Sequence, residues 1–209
     1  MGMRNRPFTF MTLLLITIFY VIGFSGCSSD GLGRTSADNG ILDLRNHTFS
    51  QHVLLNGDWQ FSWRDTSTIS NLDEADYIDI KVPGTWNGYR YQETKLPGHG
   101  AGSYFLTILL PEQTASYALE IPTIGTAYNL YLNDQLLGGV GIFSTDKEMG
   151  EPRYNSRIWD LGDQSNIVKL RLDVSNYHHR LSGIWESLHF GLEKDIVHRR
   201  EFRVGMELL

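Results

Sequence analysis

A two-residue alternation of apolar and polar side chains constrains this chain more than any other feature. In NIVKLRLDVSN (166–176), Val168, Leu170, Leu172 and Val174 share one face, and Ile167, Lys169, Arg171 and Asp173 share the other. That is the pattern of a half-buried β-strand. GDWQFSW (57–63) sets Trp59, Phe61 and Trp63 against Asp58, Gln60 and Ser62, and YIDIKVPG sets Tyr77, Ile78 and Ile80 against Asp79 and Lys81. GSYFLTILLPE, YALEIP and ESLHFGLE add further strands, and in AYNLYLNDQLLGG the pair Asn133-Asp134 marks a hairpin. A helical period appears only in Lys194–Leu209, where Ile196, Val197, Phe202, Val204 and Met206 are spaced among charges. Seven or more short strands, irregular loops and one terminal helix predict an all-β jelly-roll sandwich of galactose-binding-domain type.

The start of the chain reads differently. Arg4 and Arg6 precede an apolar run from Phe8 to Phe24, which ends in Ser25-Gly26-Cys27. A positive start, an apolar stretch and small residues describe an export signal over residues 1–26. A cysteine directly after small residues resembles a bacterial lipobox, so Cys27 is a candidate for lipidation, although Phe24 stands where leucine is usual. The alternative is an uncleaved membrane anchor. Either reading places the remainder outside the cytoplasm, tethered to the membrane of a bacterial envelope. Residues 27–40, rich in Ser, Gly and Asp, read as a flexible tether to a domain spanning 41–193. The net charge of −6 and the absence of a basic run interleaved with aromatics argue against a nucleic-acid partner. One cysteine excludes a disulfide within the chain.

Five stretches occur in a familiar order: LLNGDWQFSW, VPGTWN, GSYFLTILLP, IPTIGTAYNLYLNDQLLGGVG and VSNYHHRLSGIWESLHFGLE. Together they resemble the extracytoplasmic jelly-roll sensory domain of bacterial seven-transmembrane receptors with diverse intracellular signalling modules, over roughly Ile41 to Glu193. More distantly they are similar to the sugar-binding domain of glycoside hydrolase family 2, with Asn133-Asp134 where Asn-Gly is usual. The receptor resemblance implies a non-catalytic sensory domain, followed by a seven-helix membrane domain and a cytoplasmic signalling output. The chain given ends at Leu209, where the first membrane helix would be expected, so a fragment, a truncated product or a free-standing relative is anticipated. The glycosidase resemblance implies a shared fold and an accessory carbohydrate-binding role; a structural envelope lipoprotein is the third reading.

DVSNYHHRLSGIWES (173–187) holds the densest set of functional-looking side chains. Adjacent His178 and His179 point to opposite faces of an extended chain, and no HxH, HxxxH or CxxC spacing supplies a second ligand, so neither a metal nor a cofactor is expected. Glu186 and Asp173 are carboxylates on paper for hydrolysis, but a glycosidase carries such a pair in a barrel, so no catalytic residue is assigned. The plain reading is packing by Tyr177 and Trp185, with Gly183 supplying a backbone shape other residues resist. The functional rival is a binding rim. Aromatic faces and planar hydrogen-bonding side chains hold sugars and other small polar ligands. The candidates are His178, His179, Arg180 and Glu186 on this loop, with Trp86, Asn87, Tyr89 and Tyr91 on another. GYRYQETKLPGHGAG (88–102) lacks the lysine and helix start of a phosphate loop and reads as a connection, with His99 solvated.

Overall fold

The computed structural model describes residues 35–64 and 76–207. The export segment 1–26, Cys27 and the first part of the expected tether lie outside the described residues. In chain order the strands are β1 (Ile41–Asp43), β2 (Val53–Leu54), β3 (Gly57–Arg64), β4 (Ile78–Val82), β5 (Arg90–Tyr91), β6 (Thr94–Lys95) and β7 (Gly100–Leu109). They continue as β8 (Ala115–Ile121), β9 (Ala127–Leu132), β10 (Gln135–Val140), β11 (Arg157–Gln164), β12 (Ile167–Asn176) and β13 (His189–Leu192), and the helix α1 (Glu193–Glu207) follows without a break. The larger sheet has the order β10-β9-β12-β7-β3-β4, with β1 added in parallel to β7; the smaller has the order β11-β8-β13-β2. This is the all-β sandwich that the alternation predicts, closed by a terminal helix.

Register explains the alternation. Phe61 pairs with Tyr104, Tyr104 with Leu172 and Leu172 with Leu130, so one row of inward side chains crosses four adjacent strands. Val168, Leu170, Leu172 and Val174 are all buried, and Tyr117, Leu119, Ile121, Trp159 and Phe190 meet them from the smaller sheet. Trp59 is fully buried, and its indole N–H donates to the Leu55 carbonyl at 3.1 Å, which satisfies its one polar atom.

On the outer face of the larger sheet Ser62, Ser103, Asp173 and Ser175 depart from the alternation. Asp173 is buried: Ser103 donates to its Oδ1 at 2.6 Å, and the Arg64 and Arg171 side chains stand 3.9 and 3.4 Å away. This carboxylate, one of the two considered for hydrolysis, is locked into a sheet-surface network. The domain also begins earlier than Ile41. Ala37 is buried, it bonds Asn56 and Asp58 through its backbone, and Gly40 bonds Asp58, so the last residues of the expected tether belong to the fold. Among the described residues no helix is long and apolar enough to cross a membrane.

Asn133-Asp134 does form the β9–β10 hairpin, with φ of 48° and 67°. Positive φ at both central positions is the two-residue turn that matches strand twist. Asn133 is fixed there by accepting the Lys169 N–H at 2.9 Å. Asp134, at φ 67°, occupies a conformation glycine adopts at lower cost. Asp134→Gly is therefore expected to raise stability by about 0.5–1 kcal/mol, read as a higher urea midpoint with an unchanged slope.

Candidate functional site

The two segments singled out in the sequence do meet. β12 ends at Asn176 opposite Gly100, the first residue of β7. Asn176 is fully buried, and its Nδ2 reaches the carbonyls of Gly98 at 3.0 Å, His179 at 2.7 Å and Leu181 at 3.1 Å. Its Oδ1 accepts the His179 N–H at 3.0 Å. One amide thus ties the strand end, the loop 177–188 and the connection before β7. Asn87 adds to the seam: its Nδ2 donates to the Arg180 carbonyl at 3.3 Å, and its Oδ1 accepts from the Ser182 hydroxyl. The Gly84 N–H donates to the Ile184 carbonyl at 2.7 Å. Gly183, at φ +95°, sits where a Cβ would lie 2.5 Å from the Tyr104 hydroxyl and 3.0 Å from the Gly84 carbonyl. Only glycine fits that backbone and that gap.

The individual side chains divide. Trp86 is not on a rim. It is fully buried, 5.9 Å from Phe61, 5.6 Å from Trp63 and 6.4 Å from Tyr104 between ring centroids, and its N–H donates to the Pro97 carbonyl. Tyr89 is half-buried and its hydroxyl accepts the Lys81 N–H at 3.0 Å. Asn87 is spent on the seam. His179 is half-buried, its ring 5.1 Å from that of Trp185, and its Nδ1 accepts the Leu181 N–H at 3.1 Å. Trp185 is half-buried against Gly125 and lies outside the central core. His178, Arg180 and Glu186 are exposed, as is His99. The loop 177–188 is in the main a structural seam that offers three polar side chains to solvent. Among the described residues no group of three or more His, Cys, Asp or Glu could hold a metal.

A cleft beside this seam was not legible in the sequence. GYRYQETK folds into a small hairpin, β5–β6, whose turn residues Gln92 and Glu93 have φ of 46° and 63°. Neither residue type favours that region, so the turn is held against a local cost on the order of 1 kcal/mol per residue. The Tyr91 hydroxyl donates to the Asp76 carbonyl at 2.8 Å, and the Gln92 amide donates to the Asp76 carboxylate at 2.5 Å, which brace the hairpin on the segment that leads into β4. Between hairpin and sheet lies a cleft of about 250 Å³ lined by Trp63, Tyr91, Gln92, Thr94, Lys95, Leu96 and Pro97. Of the eight residues expected to bind ligand, this cleft takes in one, Tyr91. Trp63 was legible only as a core-facing strand residue. In the fold it is half-buried, so part of its indole is left over at the cleft.

The β-glucuronidase of Ruminococcus gnavus superposes on this chain with a TM-score of 0.53 at 12% identity, covering 69% of this chain and 29% of that one. The same enzyme in complex with D-glucuronic acid gives 0.52 at 13%, covering 68% and 29%. These likenesses are of fold, a β-sandwich, and the chain spans less than a third of those enzymes' length. A GH2 β-galacturonidase from Eisenbergiella tayi aligns at 17% identity with a TM-score of 0.46, covering 69% and 26%. No family model and no curated protein matches the chain.

The seam separates structural from exposed side chains in a measurable way. Asn176→Ala leaves several buried carbonyls and N–H groups unpaired and is expected to cost about 2–3 kcal/mol. Arg180→Ala is expected to stay within about 0.5 kcal/mol of the parent. Chemical denaturation of the two variants distinguishes the roles; equal losses would show that the arginine, too, holds the loop.

Proposed function

We propose that this chain is the extracytoplasmic, non-catalytic ligand-binding domain of a bacterial membrane signalling receptor, taking a small polar ligand of carbohydrate type. The observation that carries the ligand class is the cleft beside Trp63. An indole and a phenol ring supply flat apolar faces for the C–H side of a sugar, and Gln92, Thr94 and Lys95 supply an amide, a hydroxyl and an ammonium for its oxygens. At about 250 Å³ it is just below the ~300–1,000 Å³ usual for ligand sites, a size that suits one or two sugar rings. The exposed His178, Arg180 and Glu186 extend the same polar character along the neighbouring loop. The order of five sequence motifs supports the receptor assignment, and the start of the sequence supports export with a membrane tether at or before Cys27.

A second reading, an accessory carbohydrate-binding domain of a glycosidase-like protein, is favoured by the shared fold with the R. gnavus enzyme. The gene downstream of the Leu209 codon separates the two: seven apolar spans support the receptor, and a barrel-sized catalytic region supports the glycosidase. Labelling with a radioactive fatty acid, lost in Cys27→Ala, reports on the tether.

Ligand binding stabilises the folded state in proportion to ligand excess, by about 2.7 kcal/mol at a hundredfold excess over Kd. In a thermal-shift screen of glucose, galactose, glucuronate, galacturonate and their disaccharides, at least one is expected to raise the melting temperature of the parent. Lys95→Ala, on an exposed residue, is expected to keep the parent stability and lose most of that rise; Trp63→Ala is expected to lose both. No shift with any sugar, or a full shift in Lys95→Ala and Trp63→Ala alike, would reject the cleft.

A further inference from the structure

The outer face of the smaller sheet carries a cluster that the ligand reading does not use. Glu120 of β8 points away from the core yet is only 1% exposed, because α1 lies over it. Two guanidinium groups of the helix meet it: Arg199 bonds one carboxylate oxygen, and Arg203 Nη2 lies 2.6 Å from the other. Arg199 Nη2 also lies 3.1 Å from His189 Nε2. Arginine can only donate, so Nε2 accepts and the imidazole proton sits on Nδ1, which is buried and has no hydrogen-bond partner among the described residues. From the connection before β2, the His52 ring stands 4.9 Å from that of His189. Little else holds the helix. Ile196, over Gly191, is its one fully buried apolar side chain among those described, whereas Val197, Phe202 and Met206 are 39%, 66% and 63% exposed. A helix owes most of its stability in a protein to a packed apolar face; this one packs little of it, and a buried carboxylate bonded to two arginines fixes where it lies.

We propose that this cluster is an acid-released clasp, in which a proton taken up by His189 from solvent breaks its bond with Arg199 and frees α1 while the sandwich stays folded. The protonated imidazole has two donors and no acceptor, so it turns an N–H toward an arginine that also only donates. It adds a positive charge to a site that faces Arg199 and Arg203 from α1, Glu120 from β8 and His52 from the β1–β2 connection. Two cations are balanced by one carboxylate before protonation; three are afterwards.

The titration direction agrees with this. Burial first, then the Arg199 charge, holds His189 down to about 4, and the same two causes in the same order lower His52. A depressed imidazole favours the attached helix when neutral. That contribution is complete above the free-histidine value near ~6.5 and is lost as pH falls toward about 4. Mildly acidic conditions are therefore the window for release.

Hydrogen–deuterium exchange of the full chain in detergent micelles, corrected for intrinsic rates, tests the clasp at pH 7.5 and 4.5. Protection of 193–207 is expected to fall about tenfold or more at the lower pH, while β7 and β12 keep theirs. His189→Gln keeps an acceptor for Arg199 and does not titrate, so its helix is expected to stay protected at both pH values; Glu120→Gln is expected to lose helix protection already at pH 7.5. If His189→Gln does not fold, His52→Gln, which removes the second positive charge, is expected to shift the loss to lower pH. Unchanged protection in the parent, an equal loss in His189→Gln, or strands losing protection together with the helix would overturn the proposal.

Discussion

The packing of four aromatic rings sets the position of everything around the β5–β6 hairpin and the seam loop. Phe61 and Tyr104 are register partners on adjacent central strands, 4.8 Å apart between centroids, and Trp86 from the connection after β4 closes on both. Trp63 meets Trp86 edge-on at 5.6 Å. Such pairs contribute roughly 0.5–1.5 kcal/mol each beyond the area they bury. Their larger effect is geometric. A long connection between two strands of one sheet would otherwise lie loose on the surface. Anchored through Trp86, it places the β5–β6 hairpin over Trp63 and presents Gly98 and Asn87 to the loop after β12. The cleft and the seam are both consequences of one indole being inside.

The sandwich was readable because burial on one face of a sheet writes itself as a period of two. Val168 to Val174 needed no tertiary information, and Gly183 in a Ser-Gly-Ile-Trp context signalled an unusual backbone that proved to have φ +95°. The site was much less legible. Trp86 and Trp185 look alike in sequence, in loops flanked by glycine, but one is fully buried and the other half-buried. Which one is inside depends on partners far along the chain. Gln92-Glu93 carries none of the usual chemistry of a tight turn, so nothing local announces a hairpin there. Glu120 reads as an ordinary solvent-facing strand residue until a helix more than seventy positions later covers it.

The two sheets solve the same electrostatic problem in different ways. Each carries one carboxylate on its outer face that is nearly removed from water, and each answers it with two arginines: Arg64 and Arg171 for Asp173, Arg199 and Arg203 for Glu120. Desolvating such groups costs several kcal/mol, so a buried pair fixes geometry more than it adds stability. Around Asp173 the partners all sit on strands of the same sheet, Arg171 on β12 itself, Ser103 on β7 and Arg64 on β3, with Arg171 also laid on the Tyr131 ring at 3.7 Å. That network is as rigid as the sheet. Around Glu120 the arginines come from a separate element held by few apolar contacts, so the same chemistry makes a joint instead of a brace.

The chain runs from Asn176 through the seam loop into β13 and from Leu192 directly into Glu193 of the helix, with no linker between strand and helix. β13 is held on one side by β8 and on the other by β2. Mechanically, that continuity works like a pull-rod in a sleeve: a shift of the loop along its axis has no slack in which to dissipate before it reaches the first turn of the helix. The seam loop and the helix are thus the two ends of one short segment guided by its neighbours.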